Sequence, residues 1–202
     1  MTTKKRRWTD ELVRLNASEE MVKWCKGYDS LSDAWEACTR GDWMLRLLGK
    51  LSGKSGSLAH KKLVRVTCEC ARLALPYAGE AKNISQKTLE TAEDWAKGKQ
   101  CLALYDVRKA ADAIARTAIA THESVAVYYA VLTSYYAIIT VTDPNSASRA
   151  VGCASYAAVR AAVHAAGDSA KAIASADSAR SDIFRQCADI VRKHYELPTL
   201  IR

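Results

Sequence analysis

Proline and glycine are scarce in this sequence, since its 202 residues include three prolines and nine glycines. An all-β protein with many turns needs more of both, so their scarcity disfavours a β-fold. No alternating apolar and polar run of strand length is present either. Hydrophobic residues make up 49% of the chain and charged residues 26%, a globular balance that supports a sizeable core. We therefore predict an all-α fold, a single-domain multi-helix bundle.

Signals for secretion and for metal binding are also missing. The basic residues 4–7 are followed by Trp-Thr-Asp-Glu rather than by an apolar segment with a cleavage site, so we expect a cytoplasmic protein of a bacterial host. No two of the seven cysteines form a C-x-x-C motif, and no histidine lies at zinc-ligand spacing from a cysteine. This pattern favours reduced, mostly buried thiols. Cys68 and Cys70 point about 200° apart on a predicted helix, so they cannot readily share a metal ion.

Catalytic patterns are equally scarce. Each of the four histidines stands alone, without the glutamate spacing of metalloproteases or di-iron bundles, and we expect each at the surface or at a helix end. No pair of carboxylates indicates acid–base catalysis. We therefore predict a protein that binds a partner and is not an enzyme, with no cofactor and no metal.

Caps and breaks divide the chain into helices. Residues 1–8 are predicted to form a disordered basic N-terminus and residues 9–198 one all-α domain, with an alternative sub-boundary near 76–85. Predicted N-caps are Ser18, Ser30 or Ser32, Asp42, Ser85 and Ser124. Predicted helix ends are marked by Gly41, Pro76, Gly98 and Gly167. The helices are expected at 10–15, 18–25, 30–38, 43–51, 58–75, 85–97, 101–121, 125–141, 146–166 and 169–195.

The segment 125–141 is uncharged and almost long enough to cross a membrane. It carries four tyrosines and has no flanking basic residues, so a buried central helix is the better interpretation. The stretch 146–179 is rich in alanine and serine, which predicts Ala-rich C-terminal helices whose axes approach closely. The tyrosine-rich helix is the neighbour expected to supply bulk.

Positive charge dominates the chain, with a formal net charge of +8 and a pI of about 9.1. The clearest candidate for anion binding is the set Arg149, Tyr156, Arg160 and His164, whose spacings of seven, four and four put them near one helical face. Two guanidinium groups beside a tyrosine hydroxyl can hold a phosphate or a carboxylate. A solvated helix face shows the same pattern, so both interpretations stay open.

Tyrosines form a second pattern on the helix 125–141. Tyr128 and Tyr135 lie two turns apart on one face, and Tyr129 and Tyr136 form a neighbouring stripe. Aromatic stripes of this kind stack a base or line a pocket in some proteins, and pack inside a bundle in others.

A polar stripe follows the predicted helix 58–75, at Lys61, Arg65, Glu69 and Arg72. Its spacing of four, four and three predicts that Glu69 lies between the two arginines on one face. Arg65 and Arg72, together with Trp43 and Arg46, are our candidates for contact with a partner.

Several blocks of the sequence resemble one family. They are YDSLSDAWEAC at 28–38, GDWMLRLLG at 41–49, KLV leading to CECARLALP at 62–76, the Ala-rich stretch, and QCADIVRKHY at 186–195. In this order they resemble the Imm-5-like immunity domain family of bacterial and phage genomes, over about residues 28–198. The resemblance implies an all-α inhibitor or immunity protein and supplies no catalytic residues. The sequence departs from the family at Arg46, where a second aromatic residue is expected after Asp-Trp.

Composition and resemblance lead to three binding hypotheses. The first is an inhibitor or immunity protein, phage- or mobile-element-encoded, that neutralises a toxin or an anti-phage defence component. Its positive charge disfavours mimicry of DNA and favours an acidic protein partner. The second is sequestration of a small anionic, nucleotide-type ligand, and the third is nucleic-acid binding. No membrane association is expected, and the oligomeric state stays open.

Overall fold

A computed structural model describes residues 8–99, 124–167 and 169–196, together with Tyr105, Lys109, Asp112, Ala113 and Arg116. Every regular element within these ranges is helical and no strand occurs there, which confirms the all-α multi-helix bundle. The helices are α1 (Trp8–Arg14), α2 (Glu19–Cys25), α3 (Leu31–Ala37), α4 (Gly41–Leu51), α5 (Leu58–Ala71), α6 (Lys82–Ala96), α7 (Val125–Ile139), α8 (Ala147–Ala166) and α9 (Ser169–His194). Short 3-10 segments occupy Arg72–Tyr77, Gly79–Ala81 and Pro144–Ser146.

Two predicted segments lie wholly or largely outside the described residues. Residues 1–7 of the predicted disordered N-terminus are among them, whereas Trp8 already begins α1. Most of the predicted helix 101–121 also lies outside, and its five described residues do not test its full extent.

Serine caps begin several helices as their chemistry predicts. Ser18, Ser30 and Ser124 each accept a backbone N–H of the following turn, and Ser57 does the same at α5. Gly167 ends α8 with a φ of 64°, and Gly98 follows α6 with a φ of 83°. These predicted ends are confirmed because glycine adopts the left-handed region without a Cβ penalty.

The start of α4 was predicted wrongly. Gly41 does not end α3, which stops at Ala37, but is the first residue of α4. A Cβ at Gly41 would lie 2.4 Å from Cys187 Cβ, so the glycine allows α4 to begin against α9. Asp42 is not the cap either: its carboxylate accepts two hydrogen bonds of 2.8 Å from the Arg40 guanidinium.

The connection from α5 to α6 also differs from prediction. The long helix does not continue to Leu75 but tightens into a 3-10 segment that contains Pro76. Ser85 does not cap α6, which begins three residues earlier, and its buried hydroxyl has no hydrogen-bond partner in the part of the chain that the structure describes. Residue-by-residue capping rules misplace this start because α6 follows directly on a preceding 3-10 turn.

Helix α5 lies between two clusters of buried side chains. Its Leu63, Val66 and Cys70 belong to the larger cluster, whereas Val64 and Cys68 belong to the smaller one. Cys68 and Cys70 therefore do point to opposite sides, as predicted. Six described cysteines are free thiols and five of these are buried, while Cys101 lies outside the described residues.

The C-terminal helices pack as predicted, with α8 lying along α7 and α9. Buried Ala150, Ala154 and Ala157 give α8 a thin inner side, while α7 contributes larger neighbours such as Val131 and Ile138. No described helix combines the length and the hydropathy that crossing a membrane requires.

His60 lies in the first turn of α5, a helix end as predicted, and it is fully buried. Its Nδ1 accepts the Gly56 backbone N–H at 2.9 Å, so its Nε2–H donates to the Thr140 carbonyl at 2.7 Å. The Trp95 ring meets it edge-on. His60 thus ties the start of α5 to the end of α7.

Candidate functional site

The predicted anion face lies on the outer side of α8. Arg149, Tyr156, Arg160 and His164 are all exposed, because the small residues of α8 occupy its inner side. The concave site described below contains no residue of α8. The spacing therefore placed these side chains correctly on a common outward surface, and this surface is open.

Tyr156 is the point where three helices meet on this surface. Tyr156 is 48% exposed, and its ring stacks on Tyr129 of α7, with centroids 5.1 Å apart and planes inclined by 24°. The guanidinium of Arg180, from α9, lies 6.0 Å from the Tyr156 ring centroid. We call Tyr129, Tyr156, Arg160 and Arg180 the α8 platform. Sequence spacing alone could not find Arg180, because another helix supplies it.

The arginines of this surface differ in their neighbours. Arg160 and Arg180 have no carboxylate within 4 Å among the described residues. Arg149 lies 5.8 Å from the Tyr136 ring centroid. Partial burial opposes ionisation of Asp143, but hydrogen bonds from Asn145 and the charge of Arg149 hold its pKa below the usual value. Arg149 is thus partly compensated, whereas Arg160 and Arg180 can meet a partner.

The tyrosine rings of α7 do not contact each other along the predicted stripes, which join residues seven apart. Ring contacts connect the sequence neighbours Tyr128 and Tyr129, and Tyr135 and Tyr136, each at 5.4 Å. Tyr129 also contacts Tyr156 on α8, so this ring contact joins two helices. The tyrosines therefore link α7 to the outer surface.

Three of the four residues predicted to contact a partner make contacts within the protein. Trp43 is only 7% exposed, meets Trp24 edge-on, and is covered by the Arg40 guanidinium 4.3 Å from its ring centroid. Arg72 is hydrogen-bonded and ion-paired with Glu93. Arg46 is exposed and donates to the Asn16 carbonyl at 3.3 Å.

Arg65, the fourth, lines a concave site of about 280 Å³. Lys61 and Lys62 of α5 and His194 at the end of α9 line it as well, over buried Val66 and Ala96, with Leu58 at its rim. We call this site the cationic groove. Sequence reasoning noted Lys61 in the polar stripe but selected neither lysine as a binding residue, and only folding brings His194 to α5.

Glu69 forms no ion pair with Arg65 or Arg72 in the part of the chain that the structure describes, although it shares their stripe in sequence. Its carboxylate accepts His194 Nε2–H at 2.6 Å and lies 3.4 Å from Lys193 Nζ. Burial opposes its ionisation, but these two partners hold the pKa of Glu69 below its usual value. The carboxylate of the α5 polar stripe is thus bound by residues at the end of α9.

Burial raises the pKa of several thiols, which disfavours the nucleophilic thiolate form. Burial raises the pKa of Cys25 to about 11, with a contribution from nearby Cys38, and burial raises the pKa of Cys153 to about 12. Burial likewise raises the pKa of Cys68. Within the described ranges, no three His, Cys, Asp or Glu side chains come together as a metal site.

These features define an all-α helical bundle with two basic surfaces, one open and one concave. Comparison of the chain with protein-family models, with curated proteins and with solved structures gave no match.

Proposed function

We propose that this protein is a non-catalytic inhibitor of the immunity type, encoded by a phage or mobile element, that neutralises a toxin or an anti-phage defence component by binding it in the bacterial cytosol. The observation that carries the proposal is the α8 platform, where exposed Tyr156 lies beside Arg180 and shares the outer side of α8 with exposed Arg160. The resemblance of residues 28–198 to the Imm-5-like family supplies the biological setting.

The composition of the platform favours a protein partner. Tyrosine and arginine are the residues most enriched at the energetic centres of protein interfaces. Tyr129 supports the Tyr156 ring by stacking, so little side-chain freedom is lost when a partner covers it. An open surface suits a broad protein face better than a small ligand, which prefers a concave site.

Charge makes an acidic partner the best match. The chain carries a net charge of +8, and Arg160 and Arg180 have no acidic neighbour within 4 Å in the described part of the chain. Complementary charge accelerates association and selects the partner. We therefore expect binding that weakens as salt concentration rises.

The test is affinity capture from lysate of the bacterial host, followed by mass spectrometry of bound proteins and nucleotides. Three baits are compared: wild type, Arg160→Glu/Arg180→Glu, and the control Lys23→Glu/Lys26→Glu. The control makes the same charge change at exposed lysines of α2 and its end. We expect an acidic protein to be retained by wild type and control and lost from the platform variant.

A purified complex then gives the size of the effect. Removing one central Tyr or Arg costs about 2 kcal/mol or more, so Tyr156→Ala should weaken binding about 30-fold. If Arg160→Glu/Arg180→Glu retains every captured protein as well as the wild type does, the platform is refuted as the contact surface. Capture of nucleic acid in place of protein would support the nucleic-acid hypothesis instead.

A further inference from the structure

We propose that the cationic groove binds a small phosphate-bearing anion, with Lys61, Lys62 and Arg65 as its ligands. This site is separate from the α8 platform and does not depend on the proposed partner. It rests on three positive charges that meet at a concave site and have no carboxylate partner among the described residues.

Three cations stand together on one helix without a counter-charge. Lys61, Lys62 and Arg65 have no carboxylate within 4 Å in the described ranges, and Lys61 and Arg65 are like charges four residues apart. Like charges at this spacing repel each other along a helix. Folding alone gains nothing from this arrangement, whereas a bound anion relieves the repulsion.

Each of the two lysines of the groove lies near an aromatic ring. Lys61 Nζ lies 6.0 Å from the Trp95 ring centroid, and Lys62 Nζ lies 4.5 Å from that of Tyr195. A cation over a ring keeps its remaining donors free for an anion. The rings belong to α6 and to the residue following α9, so three parts of the chain fix the positions of the charges.

Glu69, four residues after Arg65 on α5, is already engaged. Glu69 accepts a hydrogen bond from His194, a groove residue, and pairs with Lys193 outside it. His194 therefore turns its Nε2 toward Glu69, and Glu69 does not compete for the lysines. The positive potential of the groove comes from α5.

Size and lining indicate the chemical class of the ligand. A volume of about 280 Å³ lies just below the usual range of drug-sized ligand pockets. It holds a phosphate with a small organic substituent. Lysine ammonium groups and the planar fork of arginine match phosphate oxygens, while Val66, Ala96 and the 87% exposed Leu58 offer apolar contact to the substituent.

The test is a titration of the ¹⁵N-labelled full chain, followed by amide chemical shifts. The probes are inorganic phosphate, adenosine 5′-monophosphate, and uncharged adenosine. We expect saturable shifts at the α5 and α9 residues of the groove with phosphate or with the monophosphate, and none with adenosine. Tighter binding of the monophosphate identifies an ester as the ligand, and equal binding identifies phosphate itself; both support the site.

Variants assign the binding to the groove. Lys61→Gln/Lys62→Gln/Arg65→Gln should weaken binding at least about tenfold, whereas Lys23→Gln/Lys26→Gln/Lys50→Gln, with the same change in net charge, should change it less than about twofold. Arg160→Glu/Arg180→Glu should leave it unchanged, which separates this result from that of the proposed partner. No saturation by about 10 mM of either anion at low salt, or equal losses in both triple variants, would overturn the proposal.

Discussion

Replacing Gly41 with alanine should destabilise the protein, whereas the same replacement at Gly152 should stabilise it. Both glycines lie in helices, Gly41 at the start of α4 and Gly152 within α8. A Cβ at Gly41 would lie 2.4 Å from Cys187 Cβ and 2.7 Å from the Ala188 backbone nitrogen. A Cβ at Gly152 would meet nothing within 4 Å. The same Gly→Ala change is thus made once against a neighbouring helix, at Gly41, and once in open space, at Gly152.

The expected magnitudes follow from two opposing effects. Alanine is favoured over glycine inside a helix by about 0.5–1 kcal/mol. At Gly41 the obstructing atoms belong to the backbone of α9 or lie next to it, so α4 must move as a whole, and overpacking of this kind costs about 1–3 kcal/mol. We expect a net loss of about 1–2 kcal/mol for Gly41→Ala and a gain of about 0.5–1 kcal/mol for Gly152→Ala.

Thermal and urea unfolding, each followed by circular dichroism, measure both variants against the wild type. In a protein of this size 1 kcal/mol shifts Tm by about 2–4 °C, so the two variants should differ by about 3–12 °C. The m-value should stay constant if only stability changes. A Gly41→Ala midpoint equal to or above that of the wild type would refute the close contact of α4 with α9.

Three further perturbations test other contacts. His60→Phe keeps a ring in place but leaves the buried Thr140 carbonyl without its donor, so we expect a loss of about 1–3 kcal/mol in the free energy of unfolding, measured in urea. Arg192→Met removes a guanidinium that donates to the Trp35 and Cys38 carbonyls at 3.3 and 2.6 Å, and it should speed hydrogen exchange in α3 while α5 amides stay protected. The lowered pKa of Glu69 means that its ionised form stabilises the folded state; this contribution should be full above the unfolded pKa of about 4.3 and decline as pH falls through the lower folded value. Glu69→Gln should reduce the loss of stability on acidification, whereas equal acid sensitivity in both proteins would argue against the ion pair with α9.

The fold class and most helix boundaries could be predicted because they depend on local chemistry. Ser18 and Ser124 cap helices through hydrogen bonds within one turn, and Gly167 ends α8 through its own φ. Gly41 was misread because a glycine that ends a helix and a glycine that admits a neighbouring helix look alike in sequence. Only the position of Cys187, at the other end of the chain, separates the two cases.

The candidate sites divide in the same way. Helical spacing placed Arg149, Tyr156 and Arg160 on one exposed face, because all of them belong to α8. Arg180 joins Tyr156 from another helix, and no spacing rule connects the two. Glu69 was assigned to arginines of its own helix, yet folding gives it His194. Partner choice among charged side chains is thus decided by packing that a linear pattern does not contain.

The position of α5 between the two buried clusters has a consequence for cooperativity. Residues close in sequence, such as Leu63 and Val64 or Cys68 and Cys70, contribute to different clusters, so neither cluster is complete without this helix. A partly open state that keeps one cluster must still hold α5 in place, and a state that releases α5 loses both. We therefore expect the α5 amides to exchange with solvent only through global unfolding, which makes their exchange rates a direct measure of the whole molecule's stability.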